Sequence, residues 1–247
     1  FEKEHLGDRI AEKLKMPARK HDLKEWRALL ERIDSIHEEE VVRIGIAGKY
    51  FNVDDHHVLT DSYLSVIEAI KHAAWSLGRR PEISWLDAET YEKHPQAVNE
   101  LGQFDGIIVP GGFGARGVDG KMNVIRYCRE KQIPYFGLCY GLQLAVVEFA
   151  RHVCGLQDAH TTEVKEDTPY PVIDTMPEQL VNIREHRLGG SMRLGAYRCE
   201  IREKTRSHEA YGTTKISERH RHRYEVNNDF RAKLEDAGMV FSGINPD

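Results

Sequence analysis

The chain has 247 residues, of which 40% are hydrophobic, a length that suits one large domain or one domain with an appendage. Lys and Arg number 35 and Asp and Glu number 40, so the formal net charge is −5. Such a chain lacks the basic excess that neutralises phosphates, which excludes a general nucleic-acid binder. The longest uncharged stretch, residues 132–147, is shorter than the roughly 20 apolar residues of a bilayer span, which excludes a membrane protein.

Cysteine usage indicates the redox compartment. The four cysteines form no CxxC pair and no disulfide-dense pattern; they are Cys128, Cys139, Cys154 and Cys199. We therefore expect free thiols and a location in the reducing cytoplasm.

Residues 1–40 are highly charged and have the apolar spacing of helices. Asp22 and Glu25 are placed as a capping box, and the run that follows has an apolar face of Leu23, Trp26, Leu29, Leu30 and Ile33. The stretch 16–21, which contains Pro17, separates two predicted helices. This region is predicted to be linker-like rather than a domain.

From residue 41 onward, strand and helix patterns alternate four times. The predicted strands are 41–47, 82–86, 104–109 and 133–138. The predicted helices are 61–77, 88–101, 118–130 and 141–153. This alternation predicts an α/β fold, namely a doubly wound, mostly parallel sheet with helices on both faces.

The last third of the chain has a less regular pattern. Residues 161–217 mix Pro, Gly and short β-like runs, and residues 217–228 are dense in His and Arg. A helix is predicted at 230–237, and a further strand is predicted to begin within 239–243.

The sequence Gly-Leu-Cys-Tyr-Gly at 137–141, here called the elbow, lies between a predicted strand and a predicted helix. Flanking glycines allow a tight turn that projects the central side chain above the sheet. A thiol at a helix N-terminus is expected to have a lowered pKa, and the following N–H groups can meet an oxyanion. Cys139 is therefore predicted to be a nucleophile rather than a buried structural cysteine. The other three cysteines lack this context.

A second motif, residues 110–117 with the sequence Pro-Gly-Gly-Phe-Gly-Ala-Arg-Gly, follows the third predicted strand directly and is here called the glycine loop. Because loops at the carboxyl ends of strands form the site of a doubly wound sheet, we expect this loop beside Cys139. Its N–H groups suit an oxyanion hole. Its spacing matches neither GxGxxG nor GxxxxGK[ST], which argues against phosphate binding.

The elbow and the glycine loop together resemble the class I, triad-type glutamine amidotransferases. Five segments are similar to ones peculiar to one branch of that family, the CTP synthases: 48–50, 61–69, 159–163, 189–195 and 218–227. The resemblance implies that residues 41–247 are a flavodoxin-like glutaminase domain, truncated at its C-terminus. It implies that residues 1–40 hold the end of a synthetase domain and the interdomain linker.

The resemblance also implies roles for individual residues. Cys139 matches the nucleophile that forms a glutamyl thioester, and Gly112 matches a loop glycine that binds glutamine and the oxyanion. Tyr140 stands where the family usually has leucine, but its backbone N–H keeps the oxyanion role. The elbow residues implied to contact glutamine are Tyr140, Gly141, Leu142 and Gln143.

Two charged residues match those that hold the amino-acid end of glutamine in the family. They are Glu163 and Arg223. A carboxylate suits the ammonium group of a free amino acid, and a guanidinium suits its carboxylate with bidentate geometry.

The implied reaction hydrolyses L-glutamine and delivers ammonia for the ATP-dependent amination of UTP to CTP. ATP and Mg²⁺ are expected to belong to the synthetase domain, so no cofactor and no metal are expected in this domain. The resemblance further implies GTP as an allosteric activator and a homotetramer for the complete enzyme.

Two histidine-containing stretches have alternative interpretations. The segment between Lys49 and Asp61 carries Asp54, Asp55, His56 and His57, for which a metal site is conceivable but a solvated loop is favoured. His220 and His222 alternate with arginines and could form a basic patch. The resemblance implies instead that their strand shapes the glutamine pocket.

The family's triad ends with a His-Pro-Glu segment that this sequence does not contain, since His94-Pro95 is followed by Gln96. With Phe1 rather than Met at the start, we expect a chain incomplete at both ends and inactive on its own. One alternative is a non-catalytic, glutamine-binding regulatory fragment. Another, a stress-type or protease-like cysteine hydrolase, is disfavoured by segments 189–195 and 218–227.

Overall fold

The computed structural model describes residues 2–17, 22–49, 63–176, 179, 185 and 192–246. The chain divides into two compact units. One comprises Phe1–Val41 and Glu68–Pro81, and the other comprises Val42–Ile67 and Glu82–Asp247. The predicted division at residue 40 into a linker and a glutaminase domain stays a prediction.

The N-terminal part of the first unit is helical, as the spacing predicts. Helix α1 spans Leu6–Lys13 and helix α2 spans Lys24–Asp34, and neither helix has a buried residue. The Asp22 carboxylate accepts a hydrogen bond from the Lys24 N–H at 3.0 Å, so it satisfies one of the unpaired donors at the start of α2.

A four-stranded sheet positions the elbow and the glycine loop. Its strands are β1 (Val41–Gly48), β2 (Arg80–Asp87), β3 (Gly106–Val109) and β4 (Tyr135–Gly137), in the order β2-β1-β3-β4. The β1/β3 and β3/β4 pairs are parallel. β1, β3 and β4 therefore all end at the same edge of the sheet, where Lys49, the glycine loop and the elbow begin.

The helices that follow these strands along the chain are α3 (Leu64–Ser76), α4 (Ala88–Lys93), α5 (Val118–Lys131) and α6 (Tyr140–His152). The prediction of one helix over 88–101 is wrong. α4 ends at Lys93 and a 3₁₀ helix covers Pro95–Gln103. The break lies at His94, because the residue before a proline is disfavoured in the α conformation.

Residues beyond 158 form two three-stranded sheets. Strands β5 (Ala159–Thr161), β6 (Tyr170–Thr175) and β9 (Tyr224–Val226) make the first, with β5 parallel and β9 antiparallel to β6. The second has the order β10-β7-β8, is wholly antiparallel, and consists of β7 (Arg193–Ile201), β8 (Lys215–His222) and β10 (Gly243–Ile244). Helices α7 (Arg206–Tyr211) and α8 (Asn228–Asp236) complete this part.

The strand predicted to begin within 239–243 starts only at Gly243. After α8 the chain turns at Gly238, whose φ is +104°. Met239 and Phe241 then pack, partly buried, against the hydrophobic core instead of pairing with a strand. Only Gly243 and Ile244 pair with β7.

The hydrophobic core joins β3, α5 and α6 to the later strands. Its fully buried members include Val109, Val124, Leu144, Val147 and Ile173. The predicted α/β class with a mostly parallel sheet and helices is confirmed, and the small antiparallel sheet is an addition to it. No helix among the described residues is long and apolar enough to cross a bilayer.

Candidate active site

The elbow has the strained geometry that its glycines predict. β4 ends at Gly137, α6 begins at Tyr140, and Cys139 between them has φ 52° and ψ −105°. Non-glycine residues rarely adopt a positive φ, and such strain concentrates at functional sites. A Cβ on Gly137 would lie 2.6 Å from the Gly141 carbonyl carbon, so only glycine fits there.

The pKa of the Cys139 thiol is raised, whereas its place at a helix N-terminus predicts a lowered pKa. Burial raises the pKa of the Cys139 thiol, and the Tyr140 N–H and the Arg221 charge only partly oppose this. Cys139 as a whole residue is exposed, but the protein atoms packed around its thiol hinder its ionisation. The sulfur lies 4.0 Å from the Arg221 carbonyl oxygen, its hydrogen-bond acceptor.

Three side chains hold the glycine loop. The Lys49 ammonium donates to the Phe113 carbonyl oxygen at 2.6 Å. The Tyr140 hydroxyl donates to the Gly114 carbonyl oxygen at 2.9 Å. The Gly114 N–H donates to the Glu163 carboxylate, also at 2.9 Å. The loop is therefore fixed beside the elbow, as expected for loops at the carboxyl ends of parallel strands.

A cavity of about 240 Å³, here called the site cavity, opens between the elbow, the glycine loop and the end of β8. Five of the predicted site residues line it: Gly112, Cys139, Gln143, Glu163 and Arg223. Four other lining residues were not named as candidates from the sequence: Phe113, Met192, Arg221 and Tyr224. His222, on the strand that the resemblance implies shapes the glutamine pocket, also lines the cavity.

The remaining three predicted contact residues lie outside the cavity lining. The Tyr140 ring is buried and its hydroxyl is engaged with Gly114, so only its backbone N–H faces the thiol. Gly141 is pressed against Val109, and the Leu142 side chain is half exposed. Side-chain contact with a ligand in the cavity is therefore supported for Gln143 alone among residues 140–143.

The cavity lining contains residues of opposite charge, Glu163 and Arg223. The Glu163 carboxyl has a pKa raised by burial, which the Gly114 N–H and the Lys49 charge partly offset. Arg223 is buried and its Nη1 donates to the Gln179 side-chain oxygen at 3.0 Å. A carboxylate and a guanidinium in one small cavity match the two charged groups of a free amino acid.

His220 and His222 form a hydrogen-bonded pair rather than an open basic patch. Nδ1 of His220 lies 2.8 Å from Nε2 of His222, and Nδ1 of His222 lies 3.0 Å from the Tyr224 carbonyl oxygen. Since a carbonyl only accepts, Nδ1 of His222 carries a proton, and in the neutral ring Nε2 then accepts from His220. Both nitrogens of His222 are engaged, so this cavity residue is not placed to take the thiol proton.

Lys121 is a buried cation beneath the glycine loop that the sequence analysis did not identify. Its ammonium lies 5.3 Å from the centre of the Tyr140 ring. Burial and the nearby Lys49 charge lower the pKa of Lys121 to about 8. Its neighbour Lys49 had a sequence signal, because it directly follows the carboxyl end of a parallel strand.

The segments with alternative interpretations are only partly described. Asp54, Asp55, His56 and His57 lie outside the described residues, as do Tyr50 and residues 189–191. Within the part of the chain that the structure describes, no group of three potential metal ligands converges.

A cysteine on a strained strand-to-helix elbow, at the carboxyl edge of a parallel sheet and beside a glycine loop, is an arrangement typical of α/β proteins with a cysteine nucleophile. The family described as glutamine amidotransferase class-I matches residues 58–247. The chain belongs to this family.

The relatives narrow the resemblance to one branch. The chain is 50% identical to the CTP synthase of Thermococcus kodakarensis over 100% of its own length and 44% of the relative's. It is 47% identical to the CTP synthase of Staphylococcus carnosus over 99% and 43% of the two lengths. The chain thus spans less than half the length of these relatives.

A solved structure identifies which half is matched. The Trypanosoma brucei CTPS glutaminase domain with bound acivicin superposes with a TM-score of 0.72 at 36% identity, covering 83% of this chain and 75% of that one. The predicted resemblance to the glutaminase half of CTP synthases is confirmed.

Proposed function

We propose that this chain binds L-glutamine, that in the complete protein Cys139 cleaves the side-chain amide, and that the ammonia is supplied to the synthetase half of a CTP synthase. The observation that carries the proposal is the shared cavity: the elbow thiol opens into the same space as Glu163 and Arg223. That space offers a nucleophile for the amide and two opposite charges for the amino-acid end.

The substrate's orientation follows from these charges. Glu163 would accept hydrogen bonds from the ammonium group, and Arg223 would donate to the carboxylate. The side chain of glutamine would then extend towards the elbow. Gln143, whose amide nitrogen donates to the Tyr224 carbonyl oxygen at 3.0 Å, would close the wall between them.

The first chemical step forms a bond between the sulfur and the amide carbon. The thiolate attacks, the C=O electrons move to oxygen, and the backbone N–H groups of Gly112 and Tyr140 would stabilise that oxyanion. When the carbonyl re-forms, the C–N bond breaks, and the nitrogen takes up the equivalent of the proton that the thiol gave up and leaves as ammonia. Water then cleaves the thioester to give glutamate and the free thiol.

In the complete protein the ammonia would attack UTP that ATP has phosphorylated, giving CTP. ATP, Mg²⁺ and UTP would bind outside this domain, GTP would activate the enzyme allosterically, and the assembly would be a homotetramer. The names of the relatives support this assignment. The free state of the four thiols supports a reducing location such as the cytoplasm.

The proposal is tested by alkylation with a chloromethyl ketone analogue of glutamine, followed by peptide mapping. We expect modification at Cys139, protection by glutamine, and no protection by asparagine. Cys139→Ala should abolish labelling, and Cys128→Ala, which removes a buried thiol, is the matched control. Labelling spread over the other cysteines, or labelling that glutamine does not slow, would contradict the proposal.

Measuring glutamine turnover distinguishes a catalytic chain from a non-catalytic, glutamine-binding fragment. Glutamate and ammonia release by this chain supports catalysis by these residues alone. Glutamine binding without release supports the non-catalytic binding fragment. We expect the second result for the isolated chain, because His222 has both nitrogens engaged and the sequence holds no His-Pro-Glu segment.

A further inference from the structure

Lys49 has a buried side chain to which neither the family resemblance nor the proposed chemistry assigns a role. It is 5% exposed and directly follows β1. Its ammonium donates to the Phe113 carbonyl oxygen at 2.6 Å and approaches the Gly114 carbonyl oxygen at 3.5 Å. A charged donor on a peptide carbonyl forms one of the stronger hydrogen bonds in proteins.

The Phe113 carbonyl and the Gly114 N–H belong to the same peptide group. A trans peptide is planar, with its C=O and N–H on opposite sides. Lys49 holds the oxygen side, and Glu163 accepts the N–H at 2.9 Å on the other side. The two bonds together fix the rotation of this peptide group about the chain axis.

Rotating this peptide group by half a turn would place an acceptor against an acceptor and a donor against a donor. Its carbonyl oxygen would then face the Glu163 carboxylate and its N–H would face the Lys49 ammonium. Gly114 has φ +70°, and glycine has little intrinsic resistance to such backbone changes. The orientation is therefore imposed by the two charged side chains rather than by local backbone preference.

The fixed peptide group lies next to the residue implied in oxyanion binding. Gly112 precedes Phe113, and both line the site cavity, as does Glu163. Among the described residues that line this cavity, Lys49 is not included. Any influence of Lys49 on chemistry must therefore pass through the glycine loop and through Glu163.

We propose that Lys49 is a positioning residue, which holds the peptide group between Phe113 and Gly114 so that the glycine loop keeps the orientation needed for attack by Cys139. The proposal rests on the proposed function. It predicts that losing Lys49 slows reaction of a bound glutamine analogue while leaving the intrinsic reactivity of the thiol unchanged.

The test measures alkylation of Cys139 in the 247-residue chain by the chloromethyl ketone analogue, in which sulfur displaces chloride. Lys49→Met should lower the saturating alkylation rate about 10- to 100-fold, the rate equivalent of one hydrogen bond to a charged group. The analogue concentration that gives half of the saturating rate should change much less. Lys49→Arg should recover part of the rate, and Lys165→Met, at an exposed lysine, should match the wild type.

Alkylation by iodoacetamide distinguishes a positioning role of Lys49 from a general structural role. Its reaction with Cys139 needs no glycine loop, so Lys49→Met should leave that rate unchanged. An equal loss with both reagents would overturn the proposal, as would a wild-type ketone rate in Lys49→Met.

Two further outcomes are informative. If Lys49→Met does not fold, Lys49→Gln replaces it. Its neutral amide is a donor roughly half as strong as the ammonium, so the ketone rate should still fall while the iodoacetamide rate does not. Equal loss with both reagents, or no loss with either, overturns the proposal. If the wild-type chain is not alkylated at Cys139 by the ketone, the proposed function itself fails and takes this proposal with it.

Discussion

Gly141 in helix α6 lies against Val109 at the end of strand β3, so closely that a Cβ at position 141 would stand 2.0 Å from the Val109 carbonyl oxygen. The same carbonyl accepts the Leu138 N–H at 2.9 Å. The elbow is thus seated on the neighbouring strand by backbone contact. The second glycine of the motif is required for this packing as well as for the turn.

Gly141→Ala should therefore destabilise the fold by about 1–3 kcal/mol or more, because the added methyl group forces backbone displacement in a packed site. Gly106→Ala is the matched control, since its Cβ would meet its nearest atom at an ordinary 3.5 Å. Urea unfolding of the two variants measures the difference. Equal midpoints would show that the elbow can shift without cost.

A second prediction concerns a buried ion pair between α5 and α6. Arg129 donates to both carboxylate oxygens of Glu148, at 2.8 and 2.9 Å, and Glu148 is only 1% exposed. Arg129→Leu should cost about 2–3 kcal/mol, because it leaves a buried carboxylate without its main partner. The estimate stays at the low end because His152 also contacts Glu148 at 3.1 Å.

Arg126 in the same helix is the control for this prediction. It pairs with Glu130 four residues later, and both side chains are about half exposed. Arg126→Leu should cost less than about 0.5 kcal/mol, as exposed pairs usually do. Thermal melts of both variants measure these costs. Similar losses of stability in the two variants would show that burial of Glu148 is unimportant.

Arg223→Lys should weaken glutamine binding by about 1.5–3 kcal/mol, because lysine keeps the charge but loses the planar, bidentate fork. Calorimetric titration with glutamine measures this. Arg219→Lys, on the exposed side of β8, should bind as the wild type does. Since Arg223 also donates to Gln179, a lowered melting temperature with unaltered affinity would show that its role is structural instead.

Local sequence patterns predicted the parts of the fold that depend on local chemistry. β1 and α5 follow from apolar periodicity, and the elbow follows from two glycines around a cysteine. The antiparallel pairing of β7 with β8 was not predicted, because its register, such as Arg193 opposite His222, joins residues far apart in sequence.

The direction of the pKa shifts in the site was harder to predict than the identity of the residues that form it. A helix N-terminus suggests a lowered thiol pKa, but whether burial outweighs it depends on atoms packed around Cys139 from other elements. Similarly, the proximity of Lys49 to the glycine loop follows from parallel topology, whereas its bond to a particular carbonyl does not.

The last prediction concerns pH. Burial raises the pKa of Glu163 above its ordinary value, against the opposing effect of the Gly114 N–H and Lys49. Because the folded state holds this proton more tightly than the unfolded state, the contribution of Glu163 to stability falls as pH rises through the window between the ordinary and the raised pKa.

Binding has the opposite trend, since only the ionised carboxylate can pair with the ammonium group of glutamine. As pH falls, the wild type should lose glutamine affinity at a higher pH than an ordinary glutamate would dictate. Glu163→Gln should bind glutamine more weakly at neutral pH and should lack this acid-dependent loss, because an amide does not titrate. Glu166→Gln, at an exposed carboxylate three residues later, should keep the wild-type profile. The measurements are calorimetric titrations and thermal melts across a pH series from about 3 to 8, which brackets the ordinary carboxyl range. Superimposable binding profiles for the wild type and Glu163→Gln would show that Glu163 only supports the glycine loop through Gly114 and does not receive the ammonium group of the substrate.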